Sequence, residues 1–216
     1  MGWLIFCLEA GRVRSDACPR RGLNAPISES FYNLHIPNYR RIYGANAYYF
    51  TVVTCNRNPI LTGENARAIL HEVWRIVQDR HPFTTVAICL LPEHLHAVWT
   101  LPEGDDNYSI RWKEIKRQFT MRYLAAGGEE GKRSESRQKR GEAGIWQRRF
   151  WEHTITTDDD LSRHVDYIHY NPVRHGLVKM ARDWSWSSFR RYVREGYYDE
   201  DWGRASEYFG KEKLGE

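Results

Sequence analysis

The pattern of hydrophobic and polar positions predicts strands and helices in alternation. Residues 47–55 (AYYFTVVTC), 84–91 (TTVAICLL) and 95–101 (LHAVWTL) are rich in aromatic and β-branched side chains, which is typical of buried strands. Residues 64–79 carry apolar side chains at helical spacing, which predicts an amphipathic helix that ends before Pro82. A tight Pro-Glu turn joins the second and third strands, so these two strands should form a hairpin.

The second half of the chain continues the alternation. Residues 109–124 predict a helix with a basic outer surface. Residues 127–144 (GGEEGKRSESRQKRGEAG) are rich in glycine and charge and almost devoid of apolar side chains, which predicts a mobile loop. A fourth strand is predicted over residues 150–156.

A last long helix is predicted to open at residues 158–160, three aspartates that favour the positive end of a helix. It should end near Tyr170, because Pro172 disfavours helical geometry at the residue before it. The aromatic segment 183–193 (DWSWSSFRRYV) is expected to pack on the core. The order β-α-β-β-α-β-α, with hairpins between neighbouring strands, predicts an α+β domain with a mostly antiparallel sheet.

Length and composition fit one domain in 216 residues. Residues 1–36 lack periodicity and are expected to be a partly disordered extension, residues 37–202 the domain, and residues 203–216 an acidic tail. No apolar run approaches the roughly 20 residues that cross a bilayer, and no signal peptide is evident, so a cytoplasmic protein without membrane partners is expected. The 4 cysteines form no CxxC pair, which argues against a disulfide scaffold or structural zinc.

Charge is uneven along the chain. Residues 111–149 contain 12 Lys and Arg against 5 Asp and Glu, whereas residues 195–216 contain 3 against 7. A basic middle is compatible with a polyanionic partner and equally with a solvated surface. The 9 Trp and 13 Tyr could fill a core or stack on nucleic-acid bases.

Two histidines form the sharpest local feature, within residues 91–99 (LPEHLHAVW). Side chains alternate along a strand, so His94 and His96 share a face while Leu95 points to the other. Two imidazoles on one face could bind a divalent metal, or could be half-exposed structural histidines.

A second feature is the segment 164–176 (HVDYIHYNPVRHG). On a helix, Tyr167 shares a face with His164 and Asn171. A tyrosine beside a carboxamide could be a nucleophile next to a metal ligand, or simply an ordinary helix end.

Taken together, four segments resemble one family. Residues 91–99, 100–106 (TLPEGDD), 146–153 (WQRRFWEH) and 164–178 (HVDYIHYNPVRHGLV) are similar to the single-tyrosine HUH transposases, and specifically to the REP-associated tyrosine transposases of bacteria. The resemblance covers about residues 37–202. Two departures are the residues before this range, which have no counterpart, and a longer loop than expected after the basic helix.

The resemblance implies a ferredoxin-like or RRM-like antiparallel sheet with helices packed on it. It implies that His94 and His96 bind Mg²⁺ or Mn²⁺ and that Asn171 is the third ligand, although the wider family often has Gln there. It implies a single-stranded DNA endonuclease and strand transferase that cleaves REP-type hairpin DNA, with Tyr167 as the nucleophile that forms a 5′-phosphotyrosine. Tyr170 ranks below Tyr167, because on a helix it lies about 60° off the face of Tyr167. The protein would be a monomer or a homodimer.

Basic side chains are candidates for contacts with DNA phosphates. They comprise Lys113, Lys116 and Arg117 on the basic helix, with Arg111 beside them, and Arg148 and Arg149 before the fourth strand. Trp112, Trp146 and Trp151 could stack on bases or fill the core. An alternative function is a nucleic-acid-binding regulator on the same fold without catalysis. A zinc hydrolase is a third possibility, but further ligands at useful spacing are missing.

Overall fold

The computed structural model describes residues 46–205. The predicted extension over residues 1–36 lies outside this range, as does the predicted acidic tail over residues 203–216 from residue 206 onward. The elements run in the order β1 (Ala47–Val53), α1 (Glu64–Arg80), β2 (Thr84–Leu90), β3 (His94–Thr100), α2 (Tyr108–Ala125), α3 (Glu135–Lys139), β4 (Trp151–Ile155), α4 (Asp158–Arg174) and α5 (Phe189–Arg194).

The four strands form one sheet in the order β2-β3-β1-β4, and every neighbouring pair is antiparallel. With the element order β-α-β-β-α-β, this is the ferredoxin-like arrangement. The predicted α+β fold with an antiparallel sheet is confirmed. Because β3 lies second in the sheet, its side chains have strands on both sides.

Helices cover both faces of the sheet. Alternate residues of β1 divide between two cores: Phe50 packs with α1 and α2, whereas Tyr49 packs with α4. The first core is dominated by stacked indoles, with the ring centroids of Trp99 and Trp112 separated by 4.3 Å. Strands that are buried on both faces have nearly continuous apolar sequences, which is the pattern that predicts β1, β2 and β3.

The prediction of a mobile loop over residues 127–144 is wrong in part, because this segment contains α3. Arg137 donates to the backbone carbonyls of Ala143 and Trp146, both at 2.9 Å. Gly144 passes so close to Gly131 that a Cβ at Gly144 would lie 2.2 Å from the Gly131 oxygen. Hydrogen bonds from a charged side chain to the backbone replace the apolar contacts that the sequence lacks.

The predicted end of the last long helix near Tyr170 is also wrong. Helix α4 starts as expected, with the Thr157 side chain accepting from the Asp160 N–H at 3.0 Å. It then continues through Pro172, which is buried. Gly176, at φ 69°, ends the helix, and Leu177 N–H donates back to the Pro172 carbonyl. Burial of the last turn offsets the hydrogen bond that proline removes.

The aromatic C-terminal segment packs on the core, as predicted. The Trp184 indole donates to the Leu90 carbonyl at 2.9 Å, and the Tyr192 hydroxyl donates to the Val86 carbonyl at 3.0 Å. Both bonds tie the segment to the backbone of β2. Within residues 46–205, none of the helices combines the length and the apolar character that crossing a bilayer requires.

Candidate active site

Strand β3 places both histidines on the face of the sheet that α4 covers. His94 and His96 are buried, and their ring centroids are 4.8 Å apart with the rings at 81°. In both residues Nε2 is buried and has no hydrogen-bond partner among the described residues. Buried polar atoms are nearly always satisfied, so two orphaned imidazole nitrogens on one face fit a bound cation.

Two hydroxyl groups on β1 hold the His96 ring. The Tyr49 hydroxyl lies 2.7 Å and the Thr51 hydroxyl 3.0 Å from His96 Nδ1. A proton on Nδ1 would serve these oxygens, whereas a proton on Nε2 would be buried without an acceptor. The arrangement therefore favours the tautomer that leaves a lone pair on Nε2, which a metal ligand requires.

His94 is oriented from the turn before β3. Its Nδ1 lies 3.1 Å from a Glu93 carboxylate oxygen, and because a carboxylate only accepts, Nδ1 carries the proton. The Arg57 guanidinium is 3.6 Å from the same oxygen. Asn56 and Arg57 adopt φ values of 55° and 52°, which are strained for residues other than glycine. This strained turn presents Arg57 to Glu93 and so supports the His94 ring.

Electrostatics keep both imidazoles neutral. Burial lowers the pKa of His96 well below the ordinary histidine value, and the neighbouring His94 and His175 add to the effect. Burial also lowers the pKa of His94, although Glu93 opposes part of that shift. Neutral imidazole is the form that can bind a metal, so burial keeps both rings in a protonation state compatible with a cation.

Tyr167 lies on α4 directly over the histidine pair. Its ring centroid is 5.4 Å from that of His96 and 6.3 Å from that of Tyr49, and the side chain is half-buried. The Arg174 guanidinium lies 5.2 Å from the centre of the Tyr167 ring. A phenol, an imidazole pair and a guanidinium meet in one place, which suits nucleophilic attack on a phosphodiester.

Asn171 follows one helical turn after Tyr167. Both polar atoms of its carboxamide are buried and have no hydrogen-bond partner within residues 46–205. One turn further, the His175 ring lies 5.3 Å from the His94 ring. Since residues at i, i+4 and i+8 share a helix face, Asn171 lies on the face of α4 that meets the two histidines.

The second tyrosine of the segment belongs to a different cluster. Tyr170 packs with Val173 and Phe189, and its ring centroid is 6.4 Å from that of Trp202. The structure therefore brings Tyr167, and not Tyr170, to the histidine pair.

A further set of potential ligands, His153, Asp160 and His164, lies beside the site, with one ligand atom of each within 4.8 Å of the others. Asp160 oxygens lie 2.9 Å from His153 Nε2 and 3.1 Å from His164 Nδ1. Burial raises the pKa of Asp160, but the hydrogen bonds from His153 and the Thr156 N–H outweigh it and lower the pKa overall. The imidazole rings stack at 17° and 4.8 Å, so their planes do not converge on one ion. The cluster is a hydrogen-bonded network around a carboxylate.

Helix α2 packs on the face of the sheet opposite the histidine pair. Arg111 is buried and binds Asp105 at 2.6 Å, together with the backbone carbonyls of His81 and Pro82, so it is structural. Lys116 donates to the Gln147 carbonyl at 2.8 Å, and burial lowers its pKa to about 8. Lys116 thus fixes the segment that leads into β4.

The other basic side chains differ in how they are engaged. Arg117 pairs with Glu114 at 2.8 Å, and Arg148 pairs with Glu142 at 2.6 Å. Lys113 and Arg149 are exposed and form no ion pair or side-chain hydrogen bond with the described part of the chain.

The three indoles that were candidates for stacking on bases differ in their exposure to solvent. Trp112 and Trp146 are buried in the core, whereas Trp151 is 41% exposed.

The sequence did not point to Tyr49, Thr51 or Arg174, and it indicated His175 only as a surface group or as a group that supports the site. Tyr49 and Thr51 were part of an apolar strand pattern, and only the sheet register brings them to His96. Arg174 and His175 follow Pro172, where the helix was expected to have ended. A helix predicted to run one turn further would have placed both residues near the face of Tyr167, because they follow Tyr167 by seven and eight residues.

No model of a protein family matches the chain. Two curated proteins do match it. A Haemophilus influenzae protein assigned to the REP-associated tyrosine transposases is 46% identical over 167 residues, which are 77% of this chain and 93% of that protein. The REP-associated tyrosine transposase of Escherichia coli K12 is 41% identical over 178 residues, 82% of this chain and 97% of that protein.

Among solved structures, a REP-associated tyrosine transposase bound to a REP hairpin superposes with a TM-score of 0.62 at 39% identity. The match covers 81% of this chain and 93% of that one. With identity above 40% across nearly the whole length of both curated relatives, the chain belongs to the REP-associated tyrosine transposases.

Proposed function

We propose that this transposase nicks and rejoins single-stranded DNA beside REP-type hairpins, with Tyr167 as the nucleophile. The observation that carries the proposal is the convergence of the Tyr167 ring on a histidine pair whose buried Nε2 atoms have no protein partner. The hairpin bound to a solved relative at 39% identity supports the class of DNA.

His94, His96 and Asn171 would hold a divalent cation, Mg²⁺ or Mn²⁺. Two imidazole nitrogens and an amide oxygen suit Mn²⁺ and are acceptable to Mg²⁺ when water and phosphate complete the shell. When bound, the cation supplies positive charge to the phosphate under attack. Tyr49, Thr51 and Glu93 keep the imidazoles in the tautomer that leaves Nε2 free.

The reaction follows from the phenol. The Tyr167 oxygen attacks the phosphorus and loses its proton, the bond from phosphorus to the 3′ oxygen breaks, and that oxygen leaves protonated as a 3′-OH. The product is a 5′-phosphotyrosine. Because one phosphodiester replaces another, a 3′-OH can later attack the phosphotyrosine, rejoin the strand and release Tyr167. The Arg174 guanidinium beside the ring stabilises the added negative charge of the phosphate in the transition state.

We propose that the basic side chains of α2 and of the segment before β4 bind the DNA backbone to different extents. Lys113 and Arg149 are available for phosphates. Arg117 and Arg148 would have to exchange an intramolecular carboxylate for one, and Lys116 acts mainly through the segment it fixes.

Cleavage of labelled hairpin DNA with a single-stranded flank tests the proposal. Wild-type protein with Mg²⁺ or Mn²⁺ should release a shortened strand and form a covalent adduct on a denaturing gel. His94→Ala, His96→Ala and Asn171→Ala should lose both, while Thr85→Val, a buried change on β2, should keep both. Hairpin binding with neither cleavage nor adduct in any metal would indicate the non-catalytic regulator instead.

A further inference from the structure

One aromatic side chain near the site is left open to solvent. Trp151 begins the edge strand β4, and its indole is 41% exposed. It contacts the Tyr49 ring edge-on at 5.5 Å and lies nearly parallel to the His153 ring at 6.0 Å. An indole held by rings on its inner side has a fixed orientation and a free outer surface.

The sheet register places Trp151 in the same row as His96. Thr51 pairs with His96 on one side and with Trp151 on the other. Residues directly opposite each other in antiparallel strands share a face, and strands are about 4.8 Å apart. The backbone of Trp151 therefore lies about 10 Å from that of His96, on the face that carries Tyr167.

Helix α4 stops short of this position. Its first turns cover the other end of β4, where His164 stacks on His153 at 4.8 Å and Ile155 is buried. The residue after Trp151, Glu152, pairs with Phe50 and so points to the opposite face, which keeps its charge away. Two residues before Trp151, Arg149 is exposed and makes no ion pair with the described residues.

We propose that Trp151 is a stacking platform for one unpaired base of the single-stranded DNA flank, and that Arg149 binds the phosphate beside it. This inference rests on the proposed function, because it assumes that the strand passes Tyr167. Stacking on an indole tolerates any base, so Trp151 would set the path of the strand and not its sequence. Trp112 and Trp146 are buried and cannot serve in this way.

The test measures equilibrium binding in a Tyr167→Phe background without added metal, so that cleavage plays no part. Two DNAs are compared: a blunt hairpin, and the same hairpin with a single-stranded flank that carries 2-aminopurine at one position in turn. Trp151→Ala should weaken binding of the flanked hairpin at least about fivefold and leave the blunt hairpin unchanged. Trp151→Phe should restore most of the affinity. The change in 2-aminopurine fluorescence that accompanies binding should be lost in Trp151→Ala at one flank position only.

Ile76→Ala is the control, since Ile76 is a partly exposed apolar residue on α1, which packs on the opposite face of the sheet and carries none of the proposed DNA contacts. It should change neither affinity nor fluorescence. Unchanged binding of the flanked hairpin by Trp151→Ala, or an equal loss for both DNAs, would overturn the inference. Adduct formation is scored separately with Tyr167 intact, so absence of an adduct despite an intact fluorescence signal would count against the nuclease and not against the platform.

Discussion

The two hydroxyl groups beside His96 offer the sharpest test of how the site is held. Tyr49→Phe and Thr51→Val each remove one oxygen and keep the shape of the side chain. Each variant leaves His96 Nδ1 with one remaining partner, at 3.0 Å or 2.7 Å respectively. The double variant leaves a buried N–H without an acceptor and removes the preference for the tautomer with a free Nε2.

The expected magnitudes follow from this redundancy. Loss of the hydrogen-bond partner of a metal-binding histidine typically costs about 10- to 100-fold in metal affinity. Each single variant should lose less than about tenfold, and the double variant about 100-fold, or about 2.7 kcal/mol. The loss in the double variant should exceed the product of the two single losses, because either oxygen alone can hold the ring.

Titration of free Mn²⁺ by electron paramagnetic resonance gives the affinities without DNA or turnover. Nitrogen-15 shifts of the His96 ring report the tautomer independently. Thr85→Val is the control, because Thr85 is also a buried threonine that accepts a hydrogen bond, from the Trp74 indole at 3.1 Å, but on β2. Wild-type Mn²⁺ affinity in the double variant, or an equal loss in Thr85→Val, would refute the proposed role of these hydroxyl groups.

Three further predictions concern pH, stability and salt. Burial lowers the pKa of His94 and His96, so both stay neutral as the pH falls through about 6.5. The affinity for Mn²⁺ should therefore change less than about threefold between pH 7.5 and 6.0, and a tenfold fall would contradict the pKa directions. Arg111→Leu should lower the free energy of unfolding by at least about 2 kcal/mol in urea titrations, since Arg111 holds a carboxylate and three backbone carbonyls. The hairpin affinity of the folded variant should be unchanged; a selective loss of DNA affinity would show that Arg111 contacts DNA. Arg149→Ala should make the slope of log affinity against log salt shallower by about 0.7. Arg148→Ala should change this slope less, because Arg148 pairs with Glu142. Equal slopes in the two variants would refute this distinction.

Periodicity predicted the sheet and the three helices that pack on it, because their apolar residues are buried in continuous stretches. The two errors arose where tertiary interactions override local propensity. Hydrogen bonds from Arg137 to two backbone carbonyls anchor α3 in a segment almost devoid of apolar residues. Burial of its last turn allows α4 to continue through Pro172. Neither effect is visible in a pattern of hydrophobicity.

The site shows the same division. Strand alternation alone placed His94 and His96 on one face, and helical spacing placed Tyr167 with Asn171. The partners of these residues come from elsewhere in the chain. Thr51 reaches His96 through a pairing across 45 residues, and Arg57 reaches Glu93 across the sheet end. Such contacts depend on register, which a single sequence leaves open.

The central claim is that Tyr167 becomes joined to DNA. The most direct measurement is peptide mass spectrometry of the protein after reaction with flanked hairpin DNA and Mn²⁺, followed by nuclease digestion. The account predicts a residual nucleotide on the peptide that contains Tyr167, attached to that residue, and no adduct in Tyr167→Phe. An adduct on Tyr170, or a full yield of adduct in Tyr167→Phe, would contradict it.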